Sequence, residues 1–357
     1  MIIPMKGRRS PKVALLYGAV AADAAADEQD VLVEIEAVRQ ALVGLGYVPV
    51  AVPLSLDLEA ARRRLLDLRP SFVFNLVESI DGQDRLLHLA PALLDSLGLP
   101  YTGSGTEAVF LTSNKLVAKR QLAAAGIDTP AWTDGVPQDA SPLFRGPYIV
   151  KSVWQHASIG LDTDSVVADS RKLSPLMRRR RRRFGGDWFA ERFIDGREFN
   201  LALLAGPGGV ELLPPAEMRF VGFPPNKPRI IDYAAKWDPA SFAYHNTVRS
   251  FDFPAADAAL LRRLEAIAKA CWHLFGLRGY ARVDCRVDAD GRPWVLEVNV
   301  NPCISPDAGF AAAAARAGLD LTATIRRILA DMAVPVTTAP AKRHSKTTEA
   351  GIALAAP

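Results

Sequence analysis

Short apolar runs alternate with helical periodicity along the first hundred residues. Lys12–Tyr17 (KVALLY) runs into Gly18 and has the unbroken apolar character of a buried parallel strand. Val31–Leu45 repeats its apolar positions at helical spacing and stops at Gly46. Val48–Val52 predicts a second strand, Leu56–Leu68 a second helix, and Phe72–Leu76 (FVFNL) a third strand. Leu86–Leu97 predicts a helix ending at Gly98. This alternation predicts one small α/β domain over residues 1–105, with a parallel sheet and right-handed crossovers. No GxGxxG follows the first strand, so a dinucleotide fingerprint is absent.

Beyond Tyr101-Thr102-Gly103-Ser104-Gly105 the rhythm changes. Leu116–Ala125 predicts a helix, halted by Gly126 and Pro130. Strands are expected at Tyr148–Ser152, Trp188–Phe193, Phe199–Leu204 and Val210–Leu213. A long helix, Ala256–Phe275, precedes two strands, Gly279–Val287 and Pro293–Asn299, joined through Asp290-Gly291, a hairpin signal. Gly309–Met332 predicts a last helix. From Val334 the chain loses periodicity and is expected to be disordered. The resulting divisions are 106–187, 188–333 and a tail, 334–357.

Composition narrows the class. The 357 residues are 49% hydrophobic and 23% charged, which excludes a disordered or fibrous chain. The net charge of +4 owes its sign to one run, Arg178–Arg183; without those six arginines the remainder is −2. Three cysteines, Cys271, Cys285 and Cys303, contain no CxxC pair, which fits a reducing cytoplasm better than a disulfide framework. No apolar run reaches the ~18 residues of a membrane span, and no signal peptide precedes the first strand.

The segment richest in chemistry is Arg282-Val283-Asp284 followed by Glu297-Val298-Asn299. Strand alternation places Arg282 with Asp284 on one face, and Glu297 with Asn299 on another. Paired as a hairpin, they converge two carboxylates, an amide and a guanidinium, oxygen ligands that suit Mg²⁺. The competing reading is a plain salt bridge from Arg282, with Asn299 opening a turn before Pro302.

The stretch VDCRVDADGRPWVLEVNVNP resembles the metal-binding end of the ATP-grasp superfamily. PYTGSGTEAVFLTSNKLVAKRQLAAAGIDTP, YIVKSVWQHASIGL, ERFIDGREFNLALL and DYAAKW follow the order of its D-alanine–D-alanine ligase branch, over roughly residues 70–320. The resemblance implies an N-terminal Rossmann-like α/β domain, a central lid domain, and a C-terminal α+β domain with an antiparallel sheet. It implies that Lys115 and Lys151 contact ATP phosphates, and that Ser158, Ile159 and Gly160 lie in the phosphate loop. It further implies that Glu191 and Phe193 lie on the adenine hinge, that Glu198 binds ribose, and that Asp284, Glu297 and Asn299 hold two Mg²⁺ ions, with Mn²⁺ as a substitute. Lys236 and Arg282 match the residues that grip the transferred phosphoryl group and the oxyanion. The implied reaction is carboxylate–amine ligation through an acylphosphate, and members of the family are often homodimers.

Departures concentrate around the amino acids. The family's Ser-x-Glu-x-x-Val-Ser segment falls near Asp27–Leu32. Its phosphate-loop serine is Ala157 here, its tyrosine Trp237, its histidine-glycine pair Glu78-Ser79, its carboxylate-binding serine Ala308, and a glycine Cys303. A Glu–Ser–Tyr triad cannot survive as Ala and Trp, so the expectation is an intact ATP half and a re-purposed amino-acid half acting on another amino acid, peptide or natural-product intermediate. A genuine D-alanine–D-alanine ligase is the alternative.

Plainer readings stand beside these. Lys115 and Lys151 alone would be solvated surface lysines, and Glu198 could pair with Arg197. Trp154, Phe199 and Trp294 read as core, and His88, His245 and His273 as non-catalytic. Trp237–Pro254 reads as a loop, flexible over the nucleotide or merely superficial. A nucleic-acid-binding role for Arg178–Arg183 lacks interleaved aromatics, and the bland expectation is a solvent-exposed helix end. A catalytically dead ATP binder is the third class, opposed by the full set of Arg282, Asp284, Glu297 and Asn299.

Overall fold

The structure is a computed structural model that describes residues 10–20, 26–133 and 144–332, with side chains of the middle segment from residue 29 onward. The expected disordered tail and the Asp27-Glu28 side chains lie outside the described residues.

The first unit comprises β1 (Lys12–Gly18), α1 (Ala26–Gly44), β2 (Val48–Leu54), α2 (Leu58–Leu68), β3 (Val73–Asn75) and α3 (Leu89–Leu97). Its sheet is parallel in the order β2-β1-β3. Central β1 buries Val13 to Leu16 without alternation, as a strand covered on both faces must. Asp57 caps α2 by accepting the Ala60 amide at 3.0 Å, a contact worth about 1 kcal/mol. The α1 helix begins earlier than its periodicity predicted, and the helix expected from Leu86 begins at Leu89 after a 3₁₀ turn, Asp84–Leu86.

The middle of the chain holds α4 (Thr106–Ser113), α5 (Lys115–Ala124), β4 (Tyr148–Ser152), β5 (Val166–Val167), α6 (Leu173–Phe184) and β6 (Trp188–Arg192). Asn114 divides α4 from α5 and caps the latter through the amides of Leu116 and Val117. A small antiparallel sheet, β5-β4-β6, packs on α6.

The remainder comprises β7 (Arg197–Gly206), β8 (Gly209–Leu212), β9 (Ala216–Phe220), α7 (Tyr233–Trp237), α8 (Phe242–Asn246), β10 (Thr247–Ser250), α9 (Ala258–Leu274), β11 (Tyr280–Val287), β12 (Pro293–Asn299), α10 (Gly309–Arg316) and α11 (Leu321–Ala330). The six-stranded sheet runs β10-β9-β7-β11-β12, with β8 on the far end of β7. One face packs on α9; the other shares a core with the first unit, where Val13 and Leu15 join Tyr280, Phe310 and Ile325.

Several expectations need correction. Gly309–Met332 is two helices, because Gly318 takes a left-handed φ of 78° and Asp320 restarts the chain by accepting the Ala323 amide at 2.7 Å. The Trp237–Pro254 loop contains α8 and β10, held by pairing with β9. Arg178–Arg183 lies within α6, and Arg180 turns inward, 2% exposed, to pair with Asp162. Phe199 is core, but Trp154 and Trp294 are half-buried, the latter stacked beneath the Arg292 guanidinium at 4.4 Å.

Candidate functional site

The expected hairpin exists, and its register decides the site. Arg282 stands opposite Asn299, and Asp284 opposite Glu297. Directly opposed residues of an antiparallel pair share a face, so all four side chains project the same way. Arg282 grips Asp284 bidentately at 2.8 and 2.9 Å, and Asn200 on β7 donates to the same carboxylate at 2.8 Å. The competing salt-bridge reading is thus geometrically present, but within the cluster rather than in place of it. Burial opposes the Arg282 charge, yet Asp284 and Glu297 outweigh it and raise the guanidinium's pKa.

Glu297 is reached from the other wall. His156 Nδ1 lies 2.5 Å from its Oε1, and Lys115 Nζ lies 3.8 Å from its Oε2. Burial would raise the carboxyl, but Lys115, His156 and Arg282 hold it well below the ordinary range. Asn299 turns its side-chain oxygen to the Asn301 amide at 3.0 Å. Two carboxylates and an amide already crowded by cations form a place that accommodates positive charge. Their hard oxygen donors fit a divalent ion.

The segment 154–161 arches over this hairpin. Ala157 and Ser158 both take left-handed backbone (φ 54° and 62°), which makes the loop a tight turn. Ser158 Oγ donates to the Ile231 carbonyl at 2.8 Å. Gly160 is obligatory, because a Cβ there would come within 2.5 Å of the Trp188 ring, and its φ is 71°. Ile159 closes the turn by donating to the His156 carbonyl. The loop's other end is tied to the first unit, where the His156 amide donates to Asp84 Oδ2 at 2.7 Å.

Between the two sheets lies an open cavity walled by Lys151, Glu191 and Phe193 on one side and Glu198, Arg286 and Leu296 on the other. Lys151 Nζ lies 2.6 Å from Glu191 Oε1. Glu198 pairs with Arg286 at 2.6 Å, not with its neighbour Arg197, which instead bridges Glu217 and Asp257. Arg286 also stacks over the Phe193 ring at 5.2 Å.

Lys236 on α7 opens onto the cleft near the hairpin. The surrounding protein and Arg282 hold its ammonium pKa below the lysine value. Next to it, the Trp237 indole N–H donates to the Ala157 carbonyl at 3.2 Å. The two positions expected to break the family's triad therefore meet, with a backbone oxygen accepting where a hydroxyl was lost.

A second cavity opens from the loop toward the first unit and is lined by Asp30, Glu78, Ser79, Ala157 and Cys303. The Cys303 thiol donates to Asp30 at 3.1 Å, and buried Glu34 accepts the Ile304 amide at 2.7 Å. Glu78 opens onto the cavity, yet burial by its walls, then Asp84 and Asp30, push its pKa up to about 8.

The hairpin of Arg282, Asp284, Glu297 and Asn299 is thus joined by Lys115 and by the His156 loop, while Lys151, Glu191, Phe193 and Glu198 line the cavity beside it. The sequence placed His156 in the phosphate loop without its side-chain contact to Glu297, and it missed Arg286, Glu34 and Lys119, the last of which holds Glu191 from beneath. Only two left a local signal: Arg286 continues the alternation of Arg282 and Asp284, and Lys119 shares a helix face with Lys115 and Leu122.

Residues 131–330 match the family described as D-ala D-ala ligase C-terminus. The chain is 32% identical over 317 residues to a D-alanine–D-alanine ligase of Synechococcus sp., covering 86% of this chain and 90% of that one. It is 33% identical to one of Gloeobacter violaceus, covering 84% and 93%. In structure it is similar to D-alanine–D-alanine ligase from Bacillus anthracis complexed with ATP, with a TM-score of 0.69 and 21% identity over 90% of this chain and 97% of that one. The chain belongs to the D-alanine–D-alanine ligase family of the ATP-grasp superfamily, and is an ATP-dependent, ADP-forming carbon–nitrogen ligase acting on small molecules.

Proposed function

We propose that the chain joins two D-alanines. ATP phosphorylates the carboxylate of the first, and the amine of the second displaces phosphate from the acylphosphate. The relatives' names favour this over the altered-substrate reading. The observation that carries it is the hairpin register, which opposes Asp284 to Glu297 and Arg282 to Asn299 beneath the loop of Ser158, Ile159 and Gly160. The Trp237–Ala157 bond supports it further, since the tie between that loop and α7 persists in another form.

In this reading the cavity between the two sheets takes adenine, with Phe193 and the Glu191 strand along one edge and Glu198 toward ribose. Lys115 and Lys151 neutralise phosphates, and the loop amides close on the γ-phosphate. Lys236 and Arg282 compensate the moving phosphoryl charge and the tetrahedral oxyanion. Asp284, Glu297 and Asn299 would hold two Mg²⁺ ions, which supply further charge neutralisation. No helix among the described residues is long and apolar enough to cross a membrane. The test is ADP release and dipeptide mass with D-alanine as the sole amino acid; a chain that yields neither is not this ligase.

One observation favours a second reading, in which an amino acid other than D-alanine enters. The second cavity is lined by Glu78 and Asp30, with Glu34 and Cys303 placing ligand atoms within 4.8 Å of Glu78's carboxylate. Such crowding suits a substrate with an extra ammonium group better than a methyl side chain. Faster ADP release with lysine or ornithine beside D-alanine than with D-alanine alone would select it.

A further inference from the structure

Beneath the nucleotide cavity lies a charge cluster sealed from solvent. Lys119 on α5 is 1% exposed; its ammonium group donates to Thr129 Oγ1 at 2.7 Å and the Pro130 carbonyl at 3.0 Å, and forms an ion pair with Glu191 Oε2 at 2.7 Å. Glu191, also 1% exposed, uses its other oxygen to hold Lys151 at 2.6 Å. Two ammonium groups thus share one carboxylate, and the cluster carries a net charge of +1. Lys119 is sealed from solvent, whereas Lys151 stands in the cavity wall. The surplus charge is therefore presented to the cavity through Lys151.

We propose that Lys119 is a positioning residue for nucleotide binding: by occupying one oxygen of Glu191 and balancing its charge, it leaves Lys151 aimed by Glu191 yet free to attract a phosphate. This rests on the reading that Lys151 faces the phosphates of ATP. Without Lys119, Glu191 and Lys151 form a self-contained neutral pair in a low-dielectric wall, and the field at the phosphate site loses a unit charge. Replacing Glu191 by glutamine in that background restores the +1, because Lys151 is then uncompensated.

Calorimetric titration of the full chain with AMP-PNP plus Mg²⁺, and separately with adenosine, tests this. Lys119→Met is expected to weaken AMP-PNP on the order of ten-fold, the size of one charge-assisted hydrogen bond. Adenosine, which carries no phosphate, should bind unchanged. Lys119→Met/Glu191→Gln should recover most of the AMP-PNP affinity. The proposal fails if Lys119→Met leaves AMP-PNP affinity intact, if it weakens both ligands equally, or if the double variant is no better than the single. Should Lys119→Met not fold, Lys119→Gln, which keeps bonds to Thr129 and Pro130 within reach, carries the same comparison. A wild-type chain that binds adenosine but gains nothing from the phosphates would overturn the underlying reading along with the proposal.

Discussion

The two halves of the cleft settle their charges differently. In the nucleotide half each acid has a cation: Asp284 has Arg282, Glu198 has Arg286, Glu297 has His156 and Lys115, and Glu191 has two lysines. In the amino-acid half Asp30, Glu34 and Glu78 crowd around Cys303, and Glu78 has no ion pair among the described residues. In the proposed reading the first arrangement stands ready for a polyanion and its metal ions, and the second, electrostatically open, would be completed by its substrate. The first half can therefore be read across a family, while the second must be read from its own residues.

The largest effect expected is on the settled half. Asp284→Asn removes a carboxylate held by both Arg282 and Asn200, and should lower ADP release about 10²–10³-fold, read by a coupled assay with unchanged circular dichroism. A loss below ten-fold would mean that this hairpin is not where charge is compensated. Lys236→Ala should fall in the same range or somewhat less, with its effect on kcat rather than on KM for ATP.

Glu78 sharpens the contrast through pH. Its carboxyl ionises near 4.5 when unfolded and is pushed up to about 8 in the fold. Between these values the folded chain binds more protons than the unfolded one, so this group's contribution to stability falls as pH rises. Glu78→Gln lacks that slope. Its thermal midpoint should lie above the wild type's at pH 8 and coincide with it near pH 4. The opposite order at pH 8 would show the acids of this half to be compensated after all.

Smaller effects probe the seam between the halves and the surface beyond it. Trp237→Phe keeps the ring but loses the donor to Ala157, a bond worth about 1 kcal/mol, and should raise KM for the amino acid several-fold. Replacing the exposed Arg178, Arg179, Arg182 and Arg183 by serine should change stability by no more than about 0.5 kcal/mol and leave ADP release unaltered. Arg180, paired inside with Asp162, is excluded from that set for the reason that makes it different.

Much of this was legible before the structure. The β1 to β3 alternation was plain because parallel strands buried on both faces are continuous apolar runs. The hairpin carrying Arg282, Asp284, Glu297 and Asn299 was legible as two short strands of period two around an Asp-Gly turn, but the β-bulge between Asp284 and Cys285, which brings Asp284 opposite Glu297, left no signal in the residue types. What escaped depends on contacts far apart in sequence. His156 meets Glu297 across 141 residues, and Glu34 reaches Ile304 across 270. The divided C-terminal helix escaped because alanine supports helix on both sides of Gly318. The Trp237–Ala157 bond escaped because a backbone carbonyl leaves no trace in the residue type.

The central claim is that this cleft couples ATP cleavage to amide formation between amino acids. The most direct test is simultaneous quantification of ADP by coupled assay and of dipeptide by mass spectrometry, with ATP, Mg²⁺ and D-alanine. The account predicts ADP and D-alanyl-D-alanine in a one-to-one ratio, both lost in Asp284→Asn. ADP formed without any peptide, or peptide formation that survives Asp284→Asn, would contradict it.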